Sequence, residues 1–165
     1  MKELYIKQKV FSLSGKFTVK DQQENDVYFV DGSFMRVPKT FSIHNNTGSE
    51  VALITKKVFS FLPKFMVEVD GREVLTIKKE FSFFKARYTI DAAGIEVNGN
   101  WWDMNFEVYQ HGEVAGKVSK EWFTWGDSYK VQVWNEEMET IILALVIAID
   151  CVKADQAAAS SVVSN

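Results

Sequence analysis

One cysteine, two prolines and two histidines in 165 residues leave several kinds of chemistry without material. Cys151 has no partner for an internal disulfide, which excludes the stapled framework of a small secreted domain. His44 and His111 fall in separate polar stretches and read as solvated turn residues. Together with Cys151 they lack the close spacing of a zinc site, and no metal is expected. The nine glycines are scattered through turns, so there is no glycine-rich phosphate loop, and neither a Gly-x-Ser-x-Gly elbow nor a His-Glu-x-x-His helix occurs. Carboxylates are plentiful, but no pair stands apart as an acid/base couple. The expectation is a protein without catalytic residues or a cofactor, not an enzyme.

Long apolar runs are scarce too. The longest is nine residues, Ile141-Ile142-Leu143-Ala144-Leu145-Val146-Ile147-Ala148-Ile149, against the roughly 20 needed to cross a bilayer core. No transmembrane segment is expected. Nineteen basic against 22 acidic residues, a net charge of −3, give no global attraction to nucleic acid. The chain opens with Met1-Lys2-Glu3-Leu4-Tyr5-Ile6-Lys7, an alternating strand pattern without a signal-peptide core, so a cytoplasmic location is expected. Asn45-Asn46-Thr47 fits a glycosylation acceptor and reads, in that setting, as a polar turn.

What is present is one motif written six times: an aromatic opener, then an aromatic-x-aliphatic strand. The copies are Phe11 with Phe17-x-Val19, Phe34 with Phe41-x-Ile43, Phe59 with Phe65-x-Val67, Phe81 with Tyr88-x-Ile90, Trp102 with Phe106-x-Val108, and Phe123 with Tyr129-x-Val131. Openers recur every 21 to 25 residues, enough for two strands and two turns but too short for a βαβ unit. Each copy is one hairpin, and six hairpins give about twelve antiparallel strands. Asp70-Gly71 predicts a type I′ turn between strands ending near Val69 and starting near Glu73. Asp91 to Gly94, Gln110-His111-Gly112 and Gly126-Asp127-Ser128 read as further turns. Phe59-Ser60-Phe61 and Phe65-Met66-Val67 read as strands flanking Leu62-Pro63-Lys64. With 47% hydrophobic residues and no linker-like stretch, residues 1–155 form one domain, followed by a disordered tail or frayed helix extension over 156–165.

The apolar run follows Asn135-Glu136-Glu137-Met138-Glu139, a helix N-cap with acids in its first turn. It is apolar on every face, so it must be surrounded. A closed sheet of about twelve strands has a lumen too wide for its own side chains to fill. The two needs match: Ile141, Ile142, Leu143, Leu145, Val146, Ile147 and Ile149 are expected to plug the barrel, each contributing ~1.5 to 3 kcal/mol on burial.

Lys7 to Leu13, Lys56 to Lys64, Ile77 to Lys85 and Lys120 to Asp127, closed by Glu136-Glu137-Met138-Glu139 and the helix ending Ala148-Ile149-Asp150, resemble the LURP-one-related family, most nearly its short bacterial members. The likeness runs from about Lys2 to Lys153. It implies a closed twelve-stranded antiparallel barrel around a central C-terminal helix, similar to the tubby C-terminal domain and the phospholipid scramblases, and implies no catalytic residues. Tubby domains bind phosphoinositide headgroups, and Lys85-Ala86-Arg87 has a comparable Lys-x-Arg spacing. The scramblases' cysteine-rich segment and longer terminal apolar stretch are missing.

Lysines recur with the repeats, before the openers at Lys7, Lys9, Lys56, Lys57, Lys78, Lys79, Lys117 and Lys120, and after them at Lys16, Lys39, Lys64 and Lys85 or Arg87. Equivalent positions of successive hairpins can line one end of a barrel and hold phosphates. Equally, strand lysines discourage edge pairing and keep a β-rich surface soluble. Two roles follow: peripheral binding of anionic lipid headgroups at a membrane surface through Lys64, Lys85 and Arg87, or a cytosolic regulatory module binding a protein partner without lipid affinity. The five tryptophans fit either interfacial anchors or strand packing.

Overall fold

The computed structural model describes residues 1–7, 15–33, 37–58, 61–80, 87–123 and 126–163. Twelve strands precede one helix: β1 (Lys2–Lys7), β2 (Lys16–Lys20), β3 (Asp26–Gly32), β4 (Thr40–Asn45), β5 (Glu50–Lys57), β6 (Lys64–Val69), β7 (Arg72–Glu80), β8 (Arg87–Asp91), β9 (Ile95–Asn100), β10 (Asn105–Gln110), β11 (Glu113–Phe123), β12 (Gly126–Val133) and α1 (Glu139–Val163). Every neighbouring pair is antiparallel, and β1 pairs with β12, which wraps the chain into a nearly closed barrel. The aromatic-x-aliphatic pairs all fall on even strands with their side chains inward. Phe17, Phe41, Phe65, Phe106 and Tyr129 are buried, as are Val19, Ile43, Val67, Val108 and Val131 two residues on. Period-2 alternation produces this, because positions i and i+2 share one face of a strand.

Among the openers, Phe11, Phe34, Phe59 and Phe81 lie outside the described residues, Trp102 sits between β9 and β10, and Phe123 ends β11. Asp70 and Gly71 have φ of 50° and 73°, as a type I′ turn requires, and His111 and Gly112 repeat the arrangement at 54° and 82°. Three readings differ. Gly126-Asp127-Ser128 opens β12, because the β11–β12 ladder continues to Phe123 opposite Gly126. His44 lies in β4, near Ser42 Oγ at 3.0 Å. Phe61 is outside any strand, because the β5–β6 ladder ends at Lys57 opposite Lys64.

Asn135 caps the helix approach by accepting from the Glu137 N–H, and a single 3-10 turn leads into α1. Met138, Ile142, Leu143, Leu145, Val146, Ile147, Ile149 and Val152 are wholly enclosed, and Ile141 is half-buried. The plug is seated by its neighbours' small size: a Cβ on Gly116 would stand 2.6 Å from Ile142 Cδ1. Residues 156–163, read as a disordered tail or a frayed helix extension, continue the helix. Ala157 to Ala159 favour it, and Ser160 and Ser161 hydroxyls donate back to the Gln156 and Ala158 carbonyls.

The expected closure is incomplete at one junction. Among the described residues no ladder joins β8 to β9, which are the two edges of the sheet. The helix makes its main contacts with β5, β6, β7, β11 and β12, and neither β8 nor β9 is among them. Tyr88, Ile90, Ile95 and Val97 on the inner side of the junction are accordingly only half-buried.

Candidate binding end of the barrel

Alternating strand direction sorts the connections into two groups. Those leading from odd to even strands lie at one end of the barrel, and those leading from even to odd strands lie at the other. The helix is oriented between them. Glu139 in its first turn accepts from Lys2 Nζ and Tyr28 OH, both at 2.6 Å, at the even-to-odd end. Near its far end Asp155 pairs with Lys56, and Gln156 accepts from Tyr88 OH at 2.9 Å. The helix therefore enters at one end and leaves at the other.

The exit end gathers Lys7, Lys16, Lys57, Lys64 and Arg87 at strand termini, with Lys39 just before β4 and Lys120 near the end of β11, against the acids Asp31, Glu80 and Asp103. The entry end gathers Asp21, Glu24, Glu50, Asp70, Glu113 and Glu136. Two entry-end lysines are engaged by acids, Lys2 by Glu139 and Lys20 by Asp26 at 2.7 Å. A chain with net charge near zero thus folds into a body with oppositely charged ends, a property invisible in its composition.

Lysines adjoin one another within the exit end. Lys57 is the register partner of Lys64, and Lys64 that of Lys78. Partners directly opposite share a face, and the neighbouring Phe65 and Ile77 point inward, so the three lysines form a row on the outer surface. Lys78 donates to Asp91 at 2.8 Å, which raises the lysine's pKa and lowers the carboxyl's. The ammonium of Lys64, which is half-buried, has no ion-pair or hydrogen-bond partner among the described residues. Of the residues singled out from sequence, Lys64 and Arg87 thus start β6 and β8 at this end, Arg87 opposite Glu80, while Lys85 lies outside the described residues.

The β8–β9 seam was not foreseen. A cleft of about 420 Å³ runs between Tyr88, Ile90, Ile95, Val97 and Trp101, and a second of about 440 Å³ continues past Arg87, Asn100 and Trp102. Tyr88 stacks on Trp102 with ring centroids 5.4 Å apart, and Trp101 meets Trp102 edge-on at 5.7 Å. The polar content of β9, Glu96, Asn98, Gly99 and Asn100, is the signal that could have marked it as a poor partner strand.

Inside the barrel, burial pushes the Asp150 carboxyl up to about 6, against the Tyr129 hydroxyl that donates to it at 2.9 Å and the charge of Lys153. Burial also pushes the Cys151 thiol up, as suits a small core residue rather than a reactive one. Glu3 is held at about 2 by donation from Gln22 and then from Lys130. The Tyr129–Asp150 bond ties sheet to helix, while Glu3 joins β1 to β12 and to the β2–β3 connection. Among the described residues no cluster of three His, Cys, Asp or Glu could hold a metal ion, and no helix is long and apolar enough to cross a membrane.

A nearly closed barrel of six hairpins around one C-terminal helix defines the class, and the sequence comparisons name it. The LURP-one-related family model matches residues 2–150, and the chain belongs to that family. It is 32% identical over 152 residues to the uncharacterized protein YxjI of Bacillus subtilis, spanning 92% of this chain and 94% of that one. An X-ray structure of an Arabidopsis thaliana protein shares the fold with a TM-score of 0.58 at 15% identity, over 91% of this chain and 90% of the other.

Proposed function

We propose that this protein is a non-enzymatic binding module whose basic exit end docks on the anionic headgroups of a membrane surface. The observation that carries this is the row Lys57–Lys64–Lys78. Like charges placed directly opposite on paired strands cost stability; Asp91 already engages Lys78, and an anion held at Lys64 relieves the cost that remains through charge-assisted hydrogen bonds. Arg87 and Lys39 flank the row at the same end; Glu80 opposite Arg87 and Asp31 paired with Lys16 offset part of that charge, while most of the acids of the connections lie at the far end. The test is flotation of the purified protein with neutral and with anionic liposomes at low and physiological salt. Flotation with anionic vesicles alone, weakened by salt, is expected. Protein that stays at the bottom in every mixture would contradict the reading.

A second reading rests on the seam. The facing edges of β8 and β9 carry no ladder among the described residues, and an extended protein segment that pairs with either would cover them. Its inward side chains would be apolar, to meet Tyr88, Ile90 and Val97. Hydrogen exchange distinguishes this mode: a partner bound there slows the amides of β8 and β9, whereas vesicles slow those of the exit-end connections.

A further inference from the structure

The exit end carries apolar tips as well as charge. Phe61, between β5 and β6, is 93% exposed, and Val58 on the same connection is 42% exposed. Val37, on the neighbouring β3–β4 connection, is 79% exposed. Backbone hydrogen bonds tie both connections to the barrel wall: Lys79 N–H donates to the Pro63 carbonyl, and Lys56 N–H to the Lys39 carbonyl. A single exposed apolar residue is ordinary on a protein surface. Here three stand on adjacent connections, with Lys39, Lys57 and Lys64 at their bases and no acid in 37–40 or 57–67.

The opposite end supplies an internal comparison. Its exposed apolar residues are Met1, Val114 and Trp134, and the last two sit beside Glu113 and near Glu136. Anionic lipid would repel that end and attract the other. Apolar tips rising from a basic ring match the two layers of an anionic bilayer, phosphate above and hydrocarbon below. A free phosphate compound offers only the first of these.

Resting on the headgroup reading above, we infer that Phe61, with Val37 and Val58 beside it, is a wedge that enters the bilayer beneath the headgroups held by Lys57 and Lys64. The barrel then stands on the membrane on its exit end, with its acidic entry end facing away. Headgroup contact gives salt-dependent attachment, and the wedge adds a component that salt does not screen.

The probe is an environment-sensitive fluorophore on Phe61→Cys, with Val114→Cys labelled as the control. Cys151 is 4% exposed and stays unlabelled in the folded protein. Each is mixed with phosphatidylcholine vesicles with and without phosphatidylserine, carrying a quencher on the acyl chains. With the anionic vesicles, the Phe61 label is expected to shift to the blue and be quenched, while the Val114 label does neither. Phe61→Ser should weaken vesicle binding about tenfold, the effect of moving one large apolar side chain out of hydrocarbon. Vesicle-bound protein whose Phe61 label remains in water overturns the wedge and leaves headgroup binding standing. Failure of the unlabelled protein to bind any vesicle overturns both.

Discussion

Lys64 on β6 stands directly opposite Lys78 on β7, and Lys57 on β5 flanks Lys64 from the other side. A sheet selected for stability alone would place an acid at the middle position, since cross-strand opposite charges stabilise and like charges do not. Lys64→Gln is therefore expected to stabilise the fold by roughly 0.2 to 1 kcal/mol while weakening attachment to anionic vesicles. Thermal unfolding and flotation of the same preparation check both halves. Unchanged vesicle binding in a stabilised variant would make Lys64 a surface lysine and nothing more.

Asp150 gives the fold a pH dependence of definite sign. Its carboxyl titrates at about 6 inside the barrel, against an ordinary value of 3.8. As pH rises from about 4 to 6 the unfolded chain releases a proton that the folded chain retains, so stability falls through that window and levels off above it. The expected loss is about 3 kcal/mol. Asp150→Asn should flatten this limb and stabilise the protein at neutral pH, provided the amide oxygen still accepts from Tyr129. Urea titrations between pH 4 and 7 measure it.

Glu3 acts in the opposite direction. Its folded value of about 2, set by Gln22 and Lys130, lies below the ordinary 4.5. The stability it contributes is complete above pH 4.5 and is lost as pH falls toward 2. Glu3→Gln is expected to be less stable at neutral pH and to show a shallower loss on acidification. Acid titration followed by circular dichroism separates this limb from that of Asp150, because the two windows barely overlap.

Gly116 decides how closely the plug helix approaches β11. An added Cβ meets Ile142 Cδ1 at 2.6 Å and the Gln132 carbonyl at 2.9 Å, and the carbonyl cannot rotate away. Gly116→Ala should cost about 1 to 3 kcal/mol through overpacking. Ile142→Val, which removes the Cδ1, should recover part of that loss in the double variant but not all of it. Chemical denaturation of the four proteins in the cycle provides the test.

Much of this architecture was legible because the two signals that specify it are local. Phe17-x-Val19 and its five counterparts mark inward faces by period-2 spacing, and the turns at Asp70-Gly71 and His111-Gly112 set where the ladders reverse. The helix was legible because Ile141 to Ile149 has no polar side to show to water. The misread stretches are those governed by distant neighbours. Phe61 carries the same apolar label as a strand residue, but the ladder beneath it ends at Lys57. Tyr88 and Ile90 fit the repeat, yet among the described residues their strand pairs with β7 alone and forms one edge of the sheet. Charge segregation depends on strand direction, so Lys64 and Glu68, four residues apart on β6, point to opposite ends of the barrel. That relationship appears only when the hairpins are assembled.

The most direct test of the central claim compares equal charge changes made at the two ends. Lys64→Glu with Arg87→Glu alters the exit end, and Lys20→Glu with Arg72→Glu alters the entry end; both pairs lower the net charge equally from −3. Binding to anionic vesicles is measured for both at physiological salt. The exit-end pair should abolish flotation, while the entry-end pair leaves it near that of the unaltered protein. Equal losses in the two would mean that net charge, not the lysine end of the barrel, governs contact with the membrane.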